Sequence, residues 1–164
     1  MTVNSSALNH SSLDKRITLL DSPGHPRLAH LLRQSLTTHS PKGFLLLIDS
    51  ANLKQSLNET ANTVYSILLT LPRPCDVLIV ANKSDLFTVL PVTKVRELLE
   101  GAISGLKKTR DEANVDEEER STLGGVPFDF DELESEGVMV EWTRGSVESR
   151  EIAGILEWIA KRIS

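Results

Sequence analysis

Apolar residues form short continuous runs that alternate with stretches of helical spacing. Four of the runs predict buried strands, at residues 16–21, 44–49, 76–81 and 138–142. Apolar positions that recur every three or four residues predict helices at residues 27–36, 57–68, 95–106 and 150–163. Because the strands are apolar throughout, the pattern predicts an α/β fold with a mostly parallel sheet covered by helices on both faces.

Length and composition are those of one globular domain. The 164 residues are 40% hydrophobic and 25% charged, which suits a single domain over residues 1–164. No uninterrupted apolar run exceeds five residues, far below the ~20 that cross a bilayer, so we expect no membrane span in this chain. The single cysteine, Cys75, cannot form an internal disulfide and suits a reducing compartment.

Charge is distributed unevenly along the chain. Residues 111–136 contain eleven acidic side chains and one arginine. We expect residues 110–125 to form an acidic, solvated surface loop. No cluster of lysines and arginines with interleaved aromatic residues occurs, so the sequence argues against direct nucleic-acid binding.

Polar motifs follow the predicted strands directly. They are Asp-Ser-Pro-Gly-His at residues 21–25, Asp-Ser-Ala at 49–51, Asn-Lys-Ser-Asp at 82–85 and Gly-Ser-Val at 145–147. Parallel sheets bind ligands beyond the carboxyl ends of their strands. These four segments are therefore expected to converge on one functional rim.

The Asn-Lys-Ser-Asp motif predicts recognition of guanine. The Asp85 carboxylate can accept two parallel hydrogen bonds from the N1 and 2-amino groups of guanine, which adenine cannot donate. Asn82 can tie neighbouring loops together, and the stem of Lys83 can lie along the base. The alternative is an ordinary polar turn.

The first motif predicts a phosphate and magnesium site. Asp21 can hold Mg²⁺ through water, Gly24 lets its backbone N–H approach a γ-phosphate, and His25 would face the attacking water. The alternative is a Pro-Gly turn with an exposed histidine. Asp49, after the second strand, is interpreted as a cap of the following helix.

Together these motifs make the chain resemble the small GTPases, and within them the β subunits of the signal recognition particle receptor. Three of the strand-end motifs fit that family: Asp-Ser-Pro-Gly-His, Asp-Ser-Ala and Asn-Lys-Ser-Asp. So does the last third of the chain, with Phe-Asp-Phe-Asp-Glu-Leu at residues 128–133 and Ile-Leu-Glu-Trp-Ile-Ala at 155–160. The likeness covers residues 16–164 and implies a three-layer, phosphate-loop GTPase-like fold.

The resemblance also implies roles for individual residues. Asn82, Lys83 and Asp85 would bind guanine, and Ser146 and Val147 would supply contacts to the base. Val147 replaces the small residue of the commoner Ser-Ala-Lys pattern.

On the phosphate side, Asp21 would serve Mg²⁺ through water and Gly24 the γ-phosphate. His25 would occupy the place of the water-positioning glutamine of other GTPases. The cofactors implied for the intact family member are GTP or GDP and Mg²⁺.

One expected motif is missing from the sequence. GTPases bind phosphate with Gly-x-x-x-x-Gly-Lys-Ser/Thr, and the nearest match, at residues 101–107, has the wrong spacing. We therefore expect an N-terminally shortened form that lacks the first strand and the phosphate loop, with residues 1–15 as a flexible switch remnant. Nucleotide affinity is expected to be weak, which leaves enzymatic activity open.

The resemblance implies a GTP-binding switch that anchors the receptor's α subunit at the cytosolic face of the endoplasmic reticulum membrane for co-translational targeting. The translocation channel and the ribosome are further candidate partners. Two alternatives stay open: a non-catalytic heterodimerisation module that has lost nucleotide binding, and another trafficking GTPase similar to Arf or Sar proteins.

Overall fold

The computed structural model describes residues 2–3, 17–22, 29–38, 41–114 and 127–163. The chain divides into two compact units, one formed by Met1–Ser40 with Ile163–Ser164 and the other by Pro41–Arg162.

The smaller unit contains strands β1 (Thr2–Val3) and β2 (Ile17–Thr18) and helix α1 (Ala29–Thr38). The two strands pair antiparallel, with Thr2 opposite Thr18. The strand predicted at residues 16–21 is therefore shorter than expected. Leu19 and Leu20, which follow β2, are 47% and 56% exposed and have no regular structure. Two adjacent leucines stay in a strand only where neighbours cover both of its faces.

The larger unit alternates strands and helices in the predicted order. Its elements are β3 (Phe44–Asp49), α2 (Leu53–Thr70), β4 (Cys75–Asn82), α3 (Val92–Asn114), a 3-10 helix (Asp131–Glu136), β5 (Val138–Gly145) and α4 (Ala153–Ile163). The three strands form a parallel sheet in the order β3-β4-β5, which confirms the predicted α/β fold.

Helix α4 covers one face of this sheet. Leu78 and Val80 of β4 are buried against Trp158, with Ile155 and Ile159 packed beside them. This face follows from the sequence, because apolar residues of α4 recur at helical spacing and side chains of a strand alternate between faces.

A row of aromatic rings joins the opposite face to helices α2 and α3. Trp142 of β5 lies next to Ile79 of β4, and its ring is 5.0 Å from that of Phe130. Phe128 contacts Phe130 at 5.0 Å and Tyr65 of α2 at 6.0 Å. The Phe-x-Phe segment therefore fills the space between the sheet and these helices.

Several predicted boundaries differ from the structure, and two of the differences have a clear physical reason. Helix α3 continues to Asn114, so residues 110–114 of the expected acidic loop are helical; no glycine or proline interrupts the sequence there, and Arg110, Glu112 and Ala113 are good helix formers. Helix α4 begins at Ala153 rather than at Arg150, because Arg150 has a left-handed backbone with φ of 58°.

The register of the sheet brings three strand ends together. Asp49 pairs with Asn82 at the carboxyl end of β3 and β4, and Asn82 pairs with Gly145 of β5. The segments at residues 49–51, 82–85 and 145–147 therefore share one edge, as the sequence predicts. The fourth segment begins with Asp21 and Ser22 of the smaller unit, and residues 23–25 lie outside the described residues.

Candidate functional site

Three loops form the site at this edge. We call residues 49–52 the β3 loop, residues 82–85 the β4 loop and residues 145–151 the β5 loop. The β4 loop lies in the middle and turns sharply at Lys83, whose φ of 63° is left-handed. A non-glycine residue in that region needs support from its surroundings, because the conformation is strained.

The β3 loop holds the first half of the β4 loop. The Ser50 hydroxyl donates to the Asn82 carbonyl at 2.5 Å, and the Ser50 amide donates to the same oxygen at 3.3 Å. Ser50 is fully buried, so these contacts are shielded from water. Lys83 Nζ forms an ion pair with Asp49 Oδ2 at 2.7 Å. The turn at Lys83 is therefore held through the main-chain carbonyl of Asn82 and through the side chain of Lys83.

Asp49 accepts hydrogen bonds both from its own loop and from Lys83. Its Oδ1 accepts the backbone N–H groups of Ala51 and Asn52, both at 3.2 Å, and Oδ2 accepts the Asn52 side-chain amide at 2.9 Å as well as Lys83. Partial burial raises the pKa of the Asp49 carboxyl, but the hydrogen bonds from Lys83 and Asn52 together outweigh it and hold the pKa below its ordinary value of 3.8. Asp49 is thus charged at neutral pH and fixes Lys83.

The β5 loop holds the second half of the β4 loop. The Ser84 amide donates to the Gly145 carbonyl at 3.2 Å, and the Ser84 hydroxyl donates to Glu151 Oε2 at 2.6 Å. The hydroxyl of Ser146, which is 2% exposed, donates to Asp85 Oδ1. Each residue of the β4 loop therefore has its own partner on a neighbouring strand end.

Hydrogen-bonding capacity remains open at the outer side of the loops. Asp85 is exposed, and within the described part of the chain its only hydrogen bond is the one from Ser146 to Oδ1. Val147 is 84% exposed, and among the described residues its amide has no acceptor. A planar ligand with two adjacent donors and one acceptor can bind here, and the N1, 2-amino and O6 groups of guanine match that pattern.

Five of the predicted site residues lie in this arrangement. The structure brings Asn82, Lys83, Asp85, Ser146 and Val147 to one edge of the sheet. The three residues predicted to serve phosphate and magnesium belong to the smaller unit: Asp21 is exposed, whereas Gly24 and His25 lie outside the described residues.

Four residues of the network went unrecognised as site residues in the sequence. Asp49 was interpreted as a helix cap; it accepts two N–H groups just before α2 and also fixes Lys83. Its position at a strand end is a signal for that second role, and the same holds for Ser50. Ser84 is the variable position of its motif, and Glu151 is remote in sequence, so neither carries a local signal.

No metal site is evident in the described ranges. There, no group of three or more His, Cys, Asp or Glu side chains is arranged to hold a metal ion. Asp21, proposed to act through water, is compatible with a magnesium ion whose other ligands are water and phosphate oxygens. Among the helices of the described part, none is long and apolar enough to cross a membrane.

Sequence comparisons identify the same family as the motifs. The family model of the signal recognition particle receptor beta subunit matches residues 1–138. The chain is 32% identical over 165 residues to the signal recognition particle receptor subunit beta of Saccharomyces cerevisiae. The match covers 90% of this chain but 66% of the yeast protein, so the chain spans just under two thirds of that relative.

Solved structures similar to this chain include signal recognition particle receptor proteins. The signal recognition particle receptor SRb-GDP-Mg from Chaetomium thermophilum has a TM-score of 0.71 at 29% identity, covering 88% of this chain and 80% of that one. The SRb-GTP/SRX complex from the same organism has a TM-score of 0.75 at 28% identity, covering 90% and 68%. The chain belongs to the family of signal recognition particle receptor beta subunits.

Proposed function

We propose that the three loops are the base-binding end of a guanine-nucleotide switch. The observation that carries this proposal is the Asp85 carboxylate, which accepts the buried Ser146 hydroxyl on one oxygen and belongs to an exposed residue, while the next residue after Ser146 is the exposed Val147. Asp85 would accept the N1 and 2-amino groups of guanine, and Val147 would donate to O6. The stem of Lys83 would lie along the base while Asp49 holds its Nζ.

The phosphates and Mg²⁺ would be served by the first motif. In this proposal Asp21 holds Mg²⁺ through water, Gly24 approaches the γ-phosphate and His25 orients the attacking water. Related proteins from Chaetomium thermophilum were solved with GDP and Mg, and with GTP in complex with SRX, which supports a nucleotide-dependent partner surface in this family.

The cellular role follows from family membership. We infer that the intact protein holds the receptor's α subunit at the cytosolic face of the endoplasmic reticulum membrane during co-translational targeting. The γ-phosphate and Mg²⁺ would order the segment around residues 21–30, and the ordered surface would bind the partner.

A second candidate is a heterodimerisation module that binds its partner without nucleotide. The observation that favours it is that the three loops are held by contacts among themselves, such as Lys83 with Asp49 and Ser84 with Glu151, so their arrangement does not depend on a nucleotide. The two candidates differ in nucleotide dependence: a switch binds its partner more tightly with GTP than with GDP, whereas a constitutive module binds equally in both cases.

Substitution of Asp85 tests the base-binding role. In Asp85→Asn the side-chain amide can donate to the 2-oxo group of xanthine and no longer accepts two donors from guanine. We expect the ratio of dissociation constants for GDP and xanthosine diphosphate to change about 100-fold in favour of xanthosine, since charge-assisted hydrogen bonds contribute about 1.5–3 kcal/mol each. NMR titration measures both constants even in the millimolar range.

Glu157→Gln is the matched control, because it removes an exposed carboxylate from helix α4, outside the three loops. It is expected to retain the guanine preference of the wild type. An unchanged preference for GDP in Asp85→Asn contradicts the assignment of Asp85.

A further inference from the structure

We propose that Glu151 is a positioning residue that sets the distance between the β4 and β5 loops and thereby the geometry of guanine recognition. The proposal rests on the proposed function, because its effect on binding is read through Asp85 and Ser146. Glu151 itself is bonded within the protein and is not expected to touch the base.

The backbone of Glu151 closes the β5 loop. Its carbonyl accepts the Ser146 amide at 3.0 Å, and the two residues form an antiparallel bridge. The left-handed backbone of Arg150 returns the chain to this point, and its amide donates to the Val147 carbonyl at 3.2 Å. Ser146 therefore has a fixed position relative to Glu151.

The side chain of Glu151 reaches the other loop. Oε2 accepts the Ser84 hydroxyl at 2.6 Å, and Oε1 pairs with Arg144 Nε at 2.5 Å. The Glu151 side chain is 35% exposed, whereas that of Arg144 is 71% exposed. The Arg144 pair is thus a surface ion pair of small effect, and the bond to Ser84 is the one that links the loops.

Space around this link is limited. A Cβ placed on Gly145 would lie 3.0 Å from Val80 Cγ1 and 3.3 Å from the Glu151 carbonyl oxygen. Only glycine fits at this position, so the chain lies close against the sheet where it leaves β5. Removal of the carboxylate would let the β4 loop move outward.

An outward movement acts directly on the base-reading groups. Ser84 precedes Asp85, and Ser146 is bonded both to Glu151 and to Asp85. The Ser84 bond thus closes a ring of contacts through Asp85, Ser146 and Glu151. With the ring open, Asp85 would no longer accept both guanine donors at once, although it would still accept one.

Comparison of GDP with inosine diphosphate measures this geometry. Hypoxanthine has the N1 donor but lacks the 2-amino group. The dissociation constant for inosine diphosphate divided by that for GDP therefore reports the second bond to Asp85. For Glu151→Ala we expect this ratio to fall about tenfold towards one. A merely structural loss would weaken both ligands alike and leave the ratio unchanged.

Five further variants of the 164-residue chain complete the experiment. Ser84→Ala is expected to lower the ratio as Glu151→Ala does, and the double variant to fall no further, because both remove one bond. Arg144→Ala and the control Glu157→Ala are expected to stay within twofold of the wild type. Glu151→Gln retains an acceptor of the same shape and is expected to keep a ratio close to that of the wild type. If Glu151→Ala does not fold, Ser84→Ala tests the same bond.

Hydrogen exchange of the Ser84 amide, measured without nucleotide, separates this proposal from the function on which it rests. We expect faster exchange in Glu151→Ala than in Glu157→Ala, because the Ser84-to-Gly145 bond is no longer braced. Unchanged exchange overturns the role of Glu151 whatever the nucleotide data show. A wild-type chain without preference for GDP over inosine diphosphate or ADP overturns the base-binding function instead.

Discussion

Two clusters of charged residues lie on the same three-stranded sheet, and they differ in what they leave open. Towards the amino ends of the strands, Arg162 donates to Asp76 at 2.9 Å and to Glu141 at 2.7 Å. Its guanidinium lies 3.8 Å from the ring centre of Trp158, and its side chain is only 15% exposed. At the carboxyl ends, Asp85 is also fixed by a neighbour but keeps an exposed oxygen.

The difference distinguishes a structural cluster from a binding site. In the Arg162 cluster each charged group has a partner of opposite charge within the cluster, and the guanidinium stacks on Trp158 of the core, so the cluster stabilises α4 against the sheet. In the three strand-end loops, the internal contacts fix the orientation of the loops. An acceptor at Asp85 and a donor at Val147 remain for a ligand. Open hydrogen-bonding capacity on a rigid frame, rather than charge, is what indicates the site.

Removal of Arg162 gives the largest expected loss of stability. Arg162→Ala removes the stacking on Trp158 and leaves Asp76 and Glu141 without their cation. Because both carboxylates are at least a third exposed, the loss is expected to be about 2 kcal/mol in the free energy of unfolding. Urea denaturation measures it.

Lys161→Ala is the control for this prediction, since Lys161 is exposed and adjacent to Arg162. It is expected to change the free energy of unfolding by less than about 0.5 kcal/mol. If Arg162→Ala alters the preference for guanine over adenine and leaves the free energy of unfolding unchanged, the structural role of the Arg162 cluster is contradicted.

Removal of the Ser146 hydroxyl has a smaller effect on stability and a specific one on binding. Ser146→Ala takes the donor from Asp85 and the acceptor from the Ser149 amide. We expect a loss of about 1 kcal/mol in stability and about fivefold in GDP affinity. Ser149→Ala keeps the Ser149 amide and is expected to match the wild type. Equal GDP affinity in Ser146→Ala and Ser149→Ala would contradict the role of Ser146.

Neutralising Asp49 has the smallest expected effect, and it depends on pH. Since hydrogen bonds hold the pKa of Asp49 below 3.8 in the folded chain, its contribution is present above pH 3.8 and is lost as the pH falls through the folded-state pKa. The pair with Lys83 is partly exposed, so Asp49→Asn is expected to cost under about 1 kcal/mol at pH 7. Urea denaturation should show this difference shrinking below pH 3.8; a difference that is constant with pH points to another cause.

Much of the fold was predictable because its apolar pattern is local. The run Phe-Leu-Leu-Leu-Ile-Asp is β3 (Phe44–Asp49) with the predicted bounds, and β4 extends the predicted strand by one residue at each end. Helix α2 ends at Thr70, two residues before Pro72, because proline cannot continue a helix. The motif at residues 82–85 was found for the same reason, since four adjacent residues carry it.

Features that depend on distant contacts could not be predicted. Glu151 lies 67 positions from Ser84, and their hydrogen bond exists only because β4 and β5 are neighbours in the sheet. The 3-10 helix at Asp131–Glu136 follows a buried Phe130 whose partner, Trp142, is on the next strand. Helical spacing alone also placed Arg150 in α4, although the turn that closes the β5 loop requires it to be left-handed.

The most direct test of the account is an NMR titration of the 164-residue chain with GDP and with ADP, each with Mg²⁺. The account predicts that GDP shifts the amide signals of Asp85, Ser146 and Val147 at concentrations where ADP leaves them unchanged. Equal shifts with the two nucleotides, or GDP shifts confined to residues outside the three strand-end loops, would contradict the claim that these loops read guanine.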